Sequence, residues 1–151
     1  MKTIIGIDPG ARGCIAVLHE GEIKAYKMPI ETVDIIAILG KYRENSFAVL
    51  EKVNSMPADL NEGGKRYGID KLLANYHTMK ACLVAQNIPY VLAHPMTWQA
   101  ALKLRIKGEL KPARKERYRQ IAQIHYPGLR ATLWNADALL LTIFGAQKIK
   151  P

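Results

Sequence analysis

Three acidic residues lie in segments that are otherwise apolar, and these acids are the first candidates for chemistry. Asp8 ends the β-branched run of MKTIIGIDPG, Glu51 lies in FAVLEKV, and Asp137 lies near the start of the apolar segment NADALLLTIFGAQKI. The other acids of the chain lie in polar surroundings. Clustered carboxylates repel one another, and burying them is costly unless a cation neutralises them. A divalent metal ion is the simplest such cation, so these three side chains are predicted to be its ligands.

The predicted cofactor is Mg²⁺ or Mn²⁺, because these hard cations prefer carboxylate oxygens and also bridge the phosphate oxygens of a substrate. Two such ions about 4 Å apart activate a water and stabilise the leaving oxygen when a phosphodiester is hydrolysed. We therefore expect two ions in each site and no small-molecule cofactor. Any one of the acids is more simply explained as a capped or salt-bridged residue, so the prediction depends on all three meeting in space.

The elements that must position these acids follow an alternating order. Residues 4–8 predict a strand, and CIAVLHE and EIKAYKM predict two more strands, joined as a tight hairpin at Glu20, Gly21 and Glu22. A helix is predicted over residues 31–45, with Val33, Ile36, Ile38 and Leu39 on its apolar face and Thr32 as its cap.

The second half of the chain alternates in the same way. A strand is predicted over residues 47–53, a loop from Asn54 to Arg66 and a long helix over about 68–86. PYVLAHP predicts another buried strand, and three helical segments follow: TWQAALKL, ARKERYRQIAQIHYP and the final apolar segment. This order predicts an α/β fold in which a mixed sheet carries helices on its faces. If the first strand lies beside the 47–53 strand and the last helix crosses both, the three acids meet at one sheet edge.

Size and charge limit the class of protein. At 151 residues the chain is predicted to form a single domain, residues 1–151. Lysine and arginine number 22 against 13 acids, and this net charge of +9 favours a polyanionic partner, with nucleic acid ahead of an anionic membrane. The sequence contains no cleavable leader and no long apolar run, so we expect a cytoplasmic protein that does not associate with membranes. Cys14 and Cys82 lie in apolar segments and are predicted to be buried free thiols.

Part of the positive charge is concentrated between residues 103 and 119, which is typical of a phosphate-binding surface. The eight cations there are Lys103, Arg105, Lys107, Lys111, Arg114, Lys115, Arg117 and Arg119, against Glu109 and Glu116. A solvated helix face is the alternative explanation. Within and just after the predicted loop, Lys65 and Arg66 are candidates for phosphate contacts and Tyr67 for stacking on an unpaired base.

Several segments follow one another in a recognisable order: GIDPG, the Glu in VLEKV, YGIDKLLANYHTMKACLVAQNIPY, HPMTWQAAL, KERYRQIAQIHYPG and ADALLL. Taken together, they resemble the RuvC family of Holliday junction resolvases, within the ribonuclease H-like superfamily. The resemblance covers nearly the whole chain and in detail is nearer to phage-type members. It implies a ribonuclease H-like α/β fold with a mixed five-stranded sheet and helices on both faces.

The resemblance also implies an activity and its residues. A homodimer would bind a four-way DNA junction in a bacterial or phage-infected cell and nick two strands of like polarity symmetrically, leaving 5′-phosphates and 3′-hydroxyls. A two-fold dimer matches a two-fold junction. Asp8, Glu51 and Asp137 would be the metal ligands and catalytic residues, and Lys115 matches a position where the family has a basic residue near the scissile phosphate.

One position departs from the family pattern. The family has a fourth ligand, Asp or His, three or four positions before the last Asp, but here Trp134 and Leu133 occupy those positions. Asn135 is the nearest oxygen-bearing side chain, and it is a candidate metal ligand or, more simply, the N-cap of the last helix. Three interpretations stay open: a weakened natural site, an engineered Asp→Asn replacement, and a ligand drawn from elsewhere in the chain.

The predicted function is that of a metal-dependent, structure-selective DNA endonuclease acting on four-way or branched junctions. A non-catalytic or weakened junction-binding protein of the same fold is the main alternative, because the fourth acid is missing. A ribonuclease acting on RNA/DNA hybrids is a third possibility. A nucleotide binder of the sugar-kinase type would share GIDPG, but it needs a second related domain, for which 151 residues leave no room.

Overall fold

The computed structural model describes residues 2–54 and 65–149, without the side chains of residues 65–67. Its strands are β1 (Thr3–Asp8), β2 (Cys14–His19), β3 (Glu22–Lys27), β4 (Ser46–Glu51) and β5 (Tyr90–Ala93). Its helices are α1 (Thr32–Lys41), α2 (Lys65–Ala85), α3 (Pro95–Ala101), α4 (Lys111–His125) and α5 (Ala136–Lys148). Among these helices none has the length and apolar character needed to cross a membrane.

The strands form one mixed sheet in the order β3-β2-β1-β4-β5. The first three strands pair antiparallel, whereas β4 runs parallel to β1 and β5 runs parallel to β4. The hairpin between β2 and β3 turns at Glu20 and Gly21, whose φ angles are 50° and 83°, as a tight two-residue turn requires. The predicted mixed five-stranded sheet is confirmed, and β1 and β4 are neighbours at its centre.

The sheet buries both of its faces, because successive strand residues point to opposite sides. On one side Ile5 and Ile7 of β1 belong to a core with Ile35 of α1 and Met79 of α2. The core on the other side contains Cys14 and Ala16 of β2, Val49 of β4, and side chains of α3, α4 and α5. Helices therefore cover both faces, as predicted. Cys14 and Cys82 are buried free thiols, which confirms that prediction.

Helix α5 lies directly against β1 because two glycines leave room for it. A Cβ atom on Gly6 would lie 2.2 Å from the carbonyl oxygen of Ala138, far inside van der Waals contact. On the helix side, a Cβ on Gly145 would lie 2.8 Å from Cγ2 of Ile4. The backbones of β1 and α5 therefore come into direct contact, and this contact brings the start of α5 to the carboxyl end of β1.

The predicted bounds and apolar face of helix α1 are corrected by the structure. Helix α1 ends at Lys41 rather than at residue 45, and Thr32 is its first helical residue, preceded by Glu31 at the N-cap. Its buried residues are Ile35 and Leu39, whereas Val33 is 69% exposed.

Two further predictions on the second half of the chain are corrected. Helix α2 begins at Lys65, so the predicted loop ends earlier, and residues 55–64 of that loop lie outside the described residues. Strand β5 is not a buried strand: it forms the edge of the sheet, and Val91 and Leu92 are 38% and 40% exposed.

Candidate active site

The carboxyl ends of β1 and β4 place two of the three predicted acids side by side. Ile7 pairs with Leu50 in the parallel register, and Asp8 and Glu51 are the next residue of each strand. Side chains alternate along a strand, so Asp8 points to the same face as Gly6, and Glu51 to the same face as Val49. This is the face covered by α3, α4 and α5.

The third acid comes from the first turn of α5. Asp137 is 7% exposed and directly precedes Ala138, whose carbonyl oxygen lies against Gly6. Asp137 acts electrostatically on both Asp8 and Glu51, which shows that the three carboxylates share one environment. Residues 8, 51 and 137, distant in sequence, thus meet at one edge of the sheet.

Burial and the neighbouring carboxylates make Asp8 and Glu51 reluctant to ionise. Burial, followed by the charges of Glu51 and Asp137, raises the pKa of Asp8 well above its usual range. Burial and the charge of Asp137 raise the pKa of Glu51 to about 7. The fold therefore holds negative charge at this edge at a cost, which is typical of functional sites.

Lys115 supplies positive charge at the same edge. Its Nζ, on α4, donates to Oδ2 of Asp137 and forms a salt bridge with it. Burial disfavours the ammonium form, but Asp137, with Asp8 and Glu51, outweighs it and raises the pKa of Lys115. Oδ1 of Asp137 is buried, and no other described residue forms a hydrogen bond with it.

Trp98 is a site residue that the sequence analysis did not identify. Its indole Nε1–H donates to Oε2 of Glu51 at 2.8 Å, and the side chain is fully buried. Helix α3 carries it, starting with Pro95 in its first turn and with His94 Nδ1 accepting from the backbone N–H of Met96 at 3.2 Å. The segment HPMTWQAAL stood out only as a motif, since no local signal links a Trp to an acid 47 positions earlier.

The turn that follows Asp8 is fixed by α2. The backbone N–H of Gly10 donates to Oδ1 of Asn75 at 2.7 Å, and the φ of Gly10 is 109°, which favours glycine. Asp8, Gly10, Arg12 and Leu72 help to line a cavity of about 440 Å³ beside this turn. One side of the acidic site is therefore open to a ligand.

Comparison with known proteins identifies the fold. No protein-family model matches the chain, and no curated protein sequence matches it. Among solved structures, T. thermophilus RuvC in complex with a Holliday junction substrate superposes with a TM-score of 0.62 and 17% identity, over 99% of this chain and 97% of that chain. A second Thermus thermophilus RuvC structure gives a TM-score of 0.58 and 20% identity, over 97% of this chain and 96% of that chain. The chain has the RuvC fold. The fold that the sequence resemblance implied is therefore confirmed over nearly the whole chain.

Asn135 is the oxygen-bearing side chain nearest to the positions where the sequence analysis expected a fourth acid. Its amide forms hydrogen bonds with the backbone of the preceding turn. Its Oδ1 accepts from the backbone N–H of Thr132 at 2.7 Å, and its Nδ2 donates to the carbonyl of Arg130 at 3.1 Å. It occupies the N-cap position of α5 without making a side-chain cap bond. Asn135 therefore holds the turn before α5, and these bonds direct its carbonyl to that turn. Its role as a metal ligand stays a prediction.

Among the residues that the structure describes, some cations of the basic cluster form ion pairs and others form none. Arg117 forms two hydrogen bonds of 2.8 Å with Glu109 and also donates to the carbonyl of Leu104, so it fastens the connector before α4 to that helix. Arg119 pairs with Glu116 on the helix surface. Together with Lys115, these residues are engaged within the protein, and the role of Arg117 and Arg119 in DNA binding stays a prediction.

The remaining predicted DNA contacts are distributed over the surface. Lys103, Lys107 and Lys111 are exposed, and Arg105 and Arg114 line a common pocket. Lys65, Arg66 and Tyr67 belong to the first turn of α2 instead of a loop, and their side chains lie outside the described part of the chain. Their role in DNA binding stays a prediction.

The donor atoms of the acidic site suit a hard divalent cation, but they do not form a finished cage. Carboxylate oxygens are the preferred ligands of Mg²⁺, and the buried Oδ1 of Asp137 lacks any other partner among the described residues. Over residues 2–54 and 65–149, however, no group of three His, Cys, Asp or Glu side chains is arranged to hold a metal ion. Lys115, bonded to Asp137, provides positive charge at this edge.

The raised pKa of Glu51 predicts a pH-dependent stability that Glu51→Gln removes. Between the unfolded value of 4.5 and about 7, the folded state holds a proton that the unfolded state has released, so stability falls as pH rises through this window. The shift corresponds to about 3 kcal/mol at most. We expect Glu51→Gln to be more stable than the wild type at pH 8 and equal to it below pH 4.5, as measured by urea unfolding without metal. The exposed Glu20→Gln is the control; an equal gain at every pH would contradict the prediction.

Proposed function

We propose that this protein is a metal-dependent, structure-selective DNA endonuclease that resolves four-way junctions by paired, symmetric nicks. The observation that carries the proposal is the meeting of Asp8, Glu51 and Asp137 at one sheet edge in a chain with the RuvC fold. One of the similar structures is RuvC in complex with a Holliday junction substrate. The net charge of +9 supports a partner with many phosphates.

The three acids would hold Mg²⁺ or Mn²⁺, and the bound ions would supply a Lewis acid and a water of lowered pKa for phosphodiester hydrolysis. The chain's own residues prepare the site for this. Trp98 holds the Glu51 carboxylate through its indole N–H, and Asn75 holds the turn that follows Asp8. Such fixed orientation is the main contribution a protein makes to phosphoryl transfer, where positioning and electrostatics dominate.

Lys115 is proposed to stabilise the negative charge that develops on the scissile phosphate. Its ammonium is already at the acidic edge and stays charged at neutral pH, since its pKa is raised. Its bond to Asp137 keeps it there when DNA is not bound. A cation placed in advance needs little reorganisation when the phosphate arrives.

We also propose a homodimer as the acting unit. A four-way junction has two-fold symmetry, and an isologous dimer presents two identical sites related by the same symmetry. Each site would then nick one of two strands of like polarity. The nicks would be symmetric and would leave 5′-phosphates and 3′-hydroxyls.

A nicking assay tests the proposal. The substrate is a synthetic mobile four-way junction, with a linear duplex of the same sequence as the control, in Mg²⁺, Mn²⁺ or chelator. We expect two symmetric nicks that ligase can seal, in the junction only and in the presence of metal only. Equal cleavage of the duplex would contradict the structure selectivity, and cleavage in chelator would contradict the metal dependence.

A non-catalytic junction-binding protein is the second candidate. It is favoured by the salt bridge between Lys115 and Asp137 and by the missing fourth acid, because both leave the acidic edge without a complete ligand set. This candidate predicts tight junction binding in chelator and no nicking with either metal. The same assay, run beside a binding measurement, separates the two functions.

A further inference from the structure

A polar pocket lies between α3, the connector that follows it and α4, next to the acidic edge. It has a volume of about 250 Å³, and Gln99, Arg105, Arg114 and Tyr118 contribute its polar walls. This volume lies below the range of about 300–1,000 Å³ that is usual for drug-sized ligands. The pocket therefore suits a small polar group.

Tyr118 lines this pocket and carries a buried hydroxyl. The residue is 1% exposed, and its hydroxyl has no hydrogen-bond partner among the residues that the structure describes. The ring is held in place by Trp98, at 6.0 Å between ring centroids, and by the guanidinium of Arg117, at 5.4 Å from the ring centroid. A buried hydroxyl without a partner is costly, so an acceptor bound beside Tyr118 would stabilise this part of the structure.

The two arginines of the pocket are available for such an acceptor. Arg105 and Arg114 form no ion pair within the described parts of the chain, in contrast to Arg117 and Arg119. Glu109, the carboxylate nearest in sequence to Arg105, accepts two hydrogen bonds from Arg117, and Glu116, the one nearest to Arg114, pairs with Arg119. The pocket is thus lined by two arginines and a tyrosine, whose side chains all carry hydrogen-bond donors.

We propose that this pocket binds a backbone phosphate of the DNA that flanks the scissile phosphate. Guanidinium groups match phosphate oxygens in charge and geometry, and the phenol hydroxyl donates to a further oxygen. The location supports a flanking phosphate because residues that line the pocket adjoin residues of the acidic edge. Arg114 directly precedes Lys115, which bonds to Asp137, and Trp98 contacts both Tyr118 and Glu51.

This inference rests on the proposed function, since it assigns one contact of the DNA that the acidic site would cleave. The pocket would position the DNA and would take no part in the chemical step. A phosphate held at Arg114 and Tyr118 would fix the register of the strand, so that one particular phosphodiester lies against the acids. Such phosphate contacts fix the position of a protein on DNA without reading its sequence.

The test combines protein variants with neutralised phosphates. Junction binding in chelator is measured for the wild type, Arg114→Gln and Tyr118→Phe, on a series of junctions in which single phosphates near the nick are replaced by uncharged methylphosphonates. We expect Arg114→Gln to bind about tenfold more weakly and to lower the slope of log affinity against log salt by about one. One methylphosphonate position should weaken the wild type and have no further effect on Arg114→Gln. Equal effects of every position on both proteins would overturn the proposal.

Two controls remove the remaining explanations. Arg43→Gln makes the same change of charge beside Asn45, at the opposite end of the sheet. We expect each methylphosphonate to affect the binding of this variant as it affects the wild type. Tyr118→Phe is expected to melt at the wild-type temperature or above it, because it deletes an unpartnered hydroxyl. A clear loss of thermal stability would assign that hydroxyl a structural role and overturn its part in the site.

Inorganic phosphate distinguishes a DNA subsite from a site for a free anion. The DNA assignment would be overturned by two results together. Phosphate would raise the melting temperature of the wild type but not of Arg114→Gln, and no methylphosphonate position would have an effect that depends on Arg114. The nuclease proposal fails separately. If the wild type never nicks but the coupling is present, the phosphate subsite stands and the protein is a junction binder; if nicking is present without coupling, only the subsite is wrong.

Discussion

Replacing Asp8 with Asn is expected to lower the rate of junction nicking by about a thousandfold or more at saturating Mg²⁺. Asparagine keeps the size of the side chain but removes the charge that would hold a metal ion. Junction binding is expected to stay within a few fold of the wild type or to tighten, because a negative charge facing the phosphates is lost. The measurements are single-turnover nicking in Mg²⁺ and equilibrium binding of the same junction in chelator.

Stability provides an internal check on this variant. Since burial and two neighbouring carboxylates raise the pKa of Asp8 well above its usual range, the neutral amide is expected to raise the free energy of unfolding at pH 8. Lost activity in a more stable protein cannot be attributed to misfolding. Asp34→Asn, an exposed acid in the first turn of α1, is the matched control and should nick normally. Nicking by Asp8→Asn at the wild-type rate would show that Asp8 is not a metal ligand.

Gly6→Ala is expected to destabilise the fold by about 3 kcal/mol or more, at the upper end of the usual cost of overpacking. The added Cβ would lie 2.2 Å from the carbonyl oxygen of Ala138 and 2.9 Å from the backbone nitrogen of Thr142. Both atoms belong to the backbone of α5, so no side-chain rotation relieves the contact. The helix must move away from β1. The free energy of unfolding in urea measures this effect.

The same substitution is expected to reduce nicking even in the molecules that stay folded, because Asp137 moves with α5 away from Asp8. Gly128→Ala is the matched control, since a Cβ at that position meets no atom within 4 Å and its backbone is not in the left-handed region. We expect the control to leave both stability and nicking near the wild-type values. A Gly6→Ala protein as stable as this control would contradict the direct contact between α5 and β1.

The elements of the fold were predictable where their signal is local. The apolar runs of β1 and β2 and the turn at Gly21 depend on residues within a few positions of one another, and the structure confirms the strands and the hairpin. The three acids were also visible locally, because each interrupts an apolar run. Their meeting at one edge follows once β1 and β4 pair in parallel and α5 crosses them.

Predictions failed where the local sequence was compatible with more than one arrangement of buried residues. In α1, apolar residues occur on more than one side, and only the packing of the helix against α2 and the sheet selects Ile35 and Leu39 for burial. The apolar composition of β5 indicated a buried strand, but its position at the edge of the sheet leaves Val91 and Leu92 partly exposed. Composition reports the tendency to be buried, whereas topology determines which strand forms the edge.

The sequence by itself determined the type of fold, the acids that mark the candidate site and the positive charge that favours a polyanionic partner. Only the tertiary structure decided how these charges are used: Trp98 bonds to Glu51, Lys115 to Asp137 and Arg117 to Glu109, while Arg105 and Arg114 are left facing a pocket with Tyr118. The physical reason is the separation along the chain over which each kind of interaction acts. Strand and turn preferences act between near neighbours in the chain, whereas the hydrogen bonds and ion pairs of the site join residues up to 65 positions apart, which meet only after the helices have packed on the sheet.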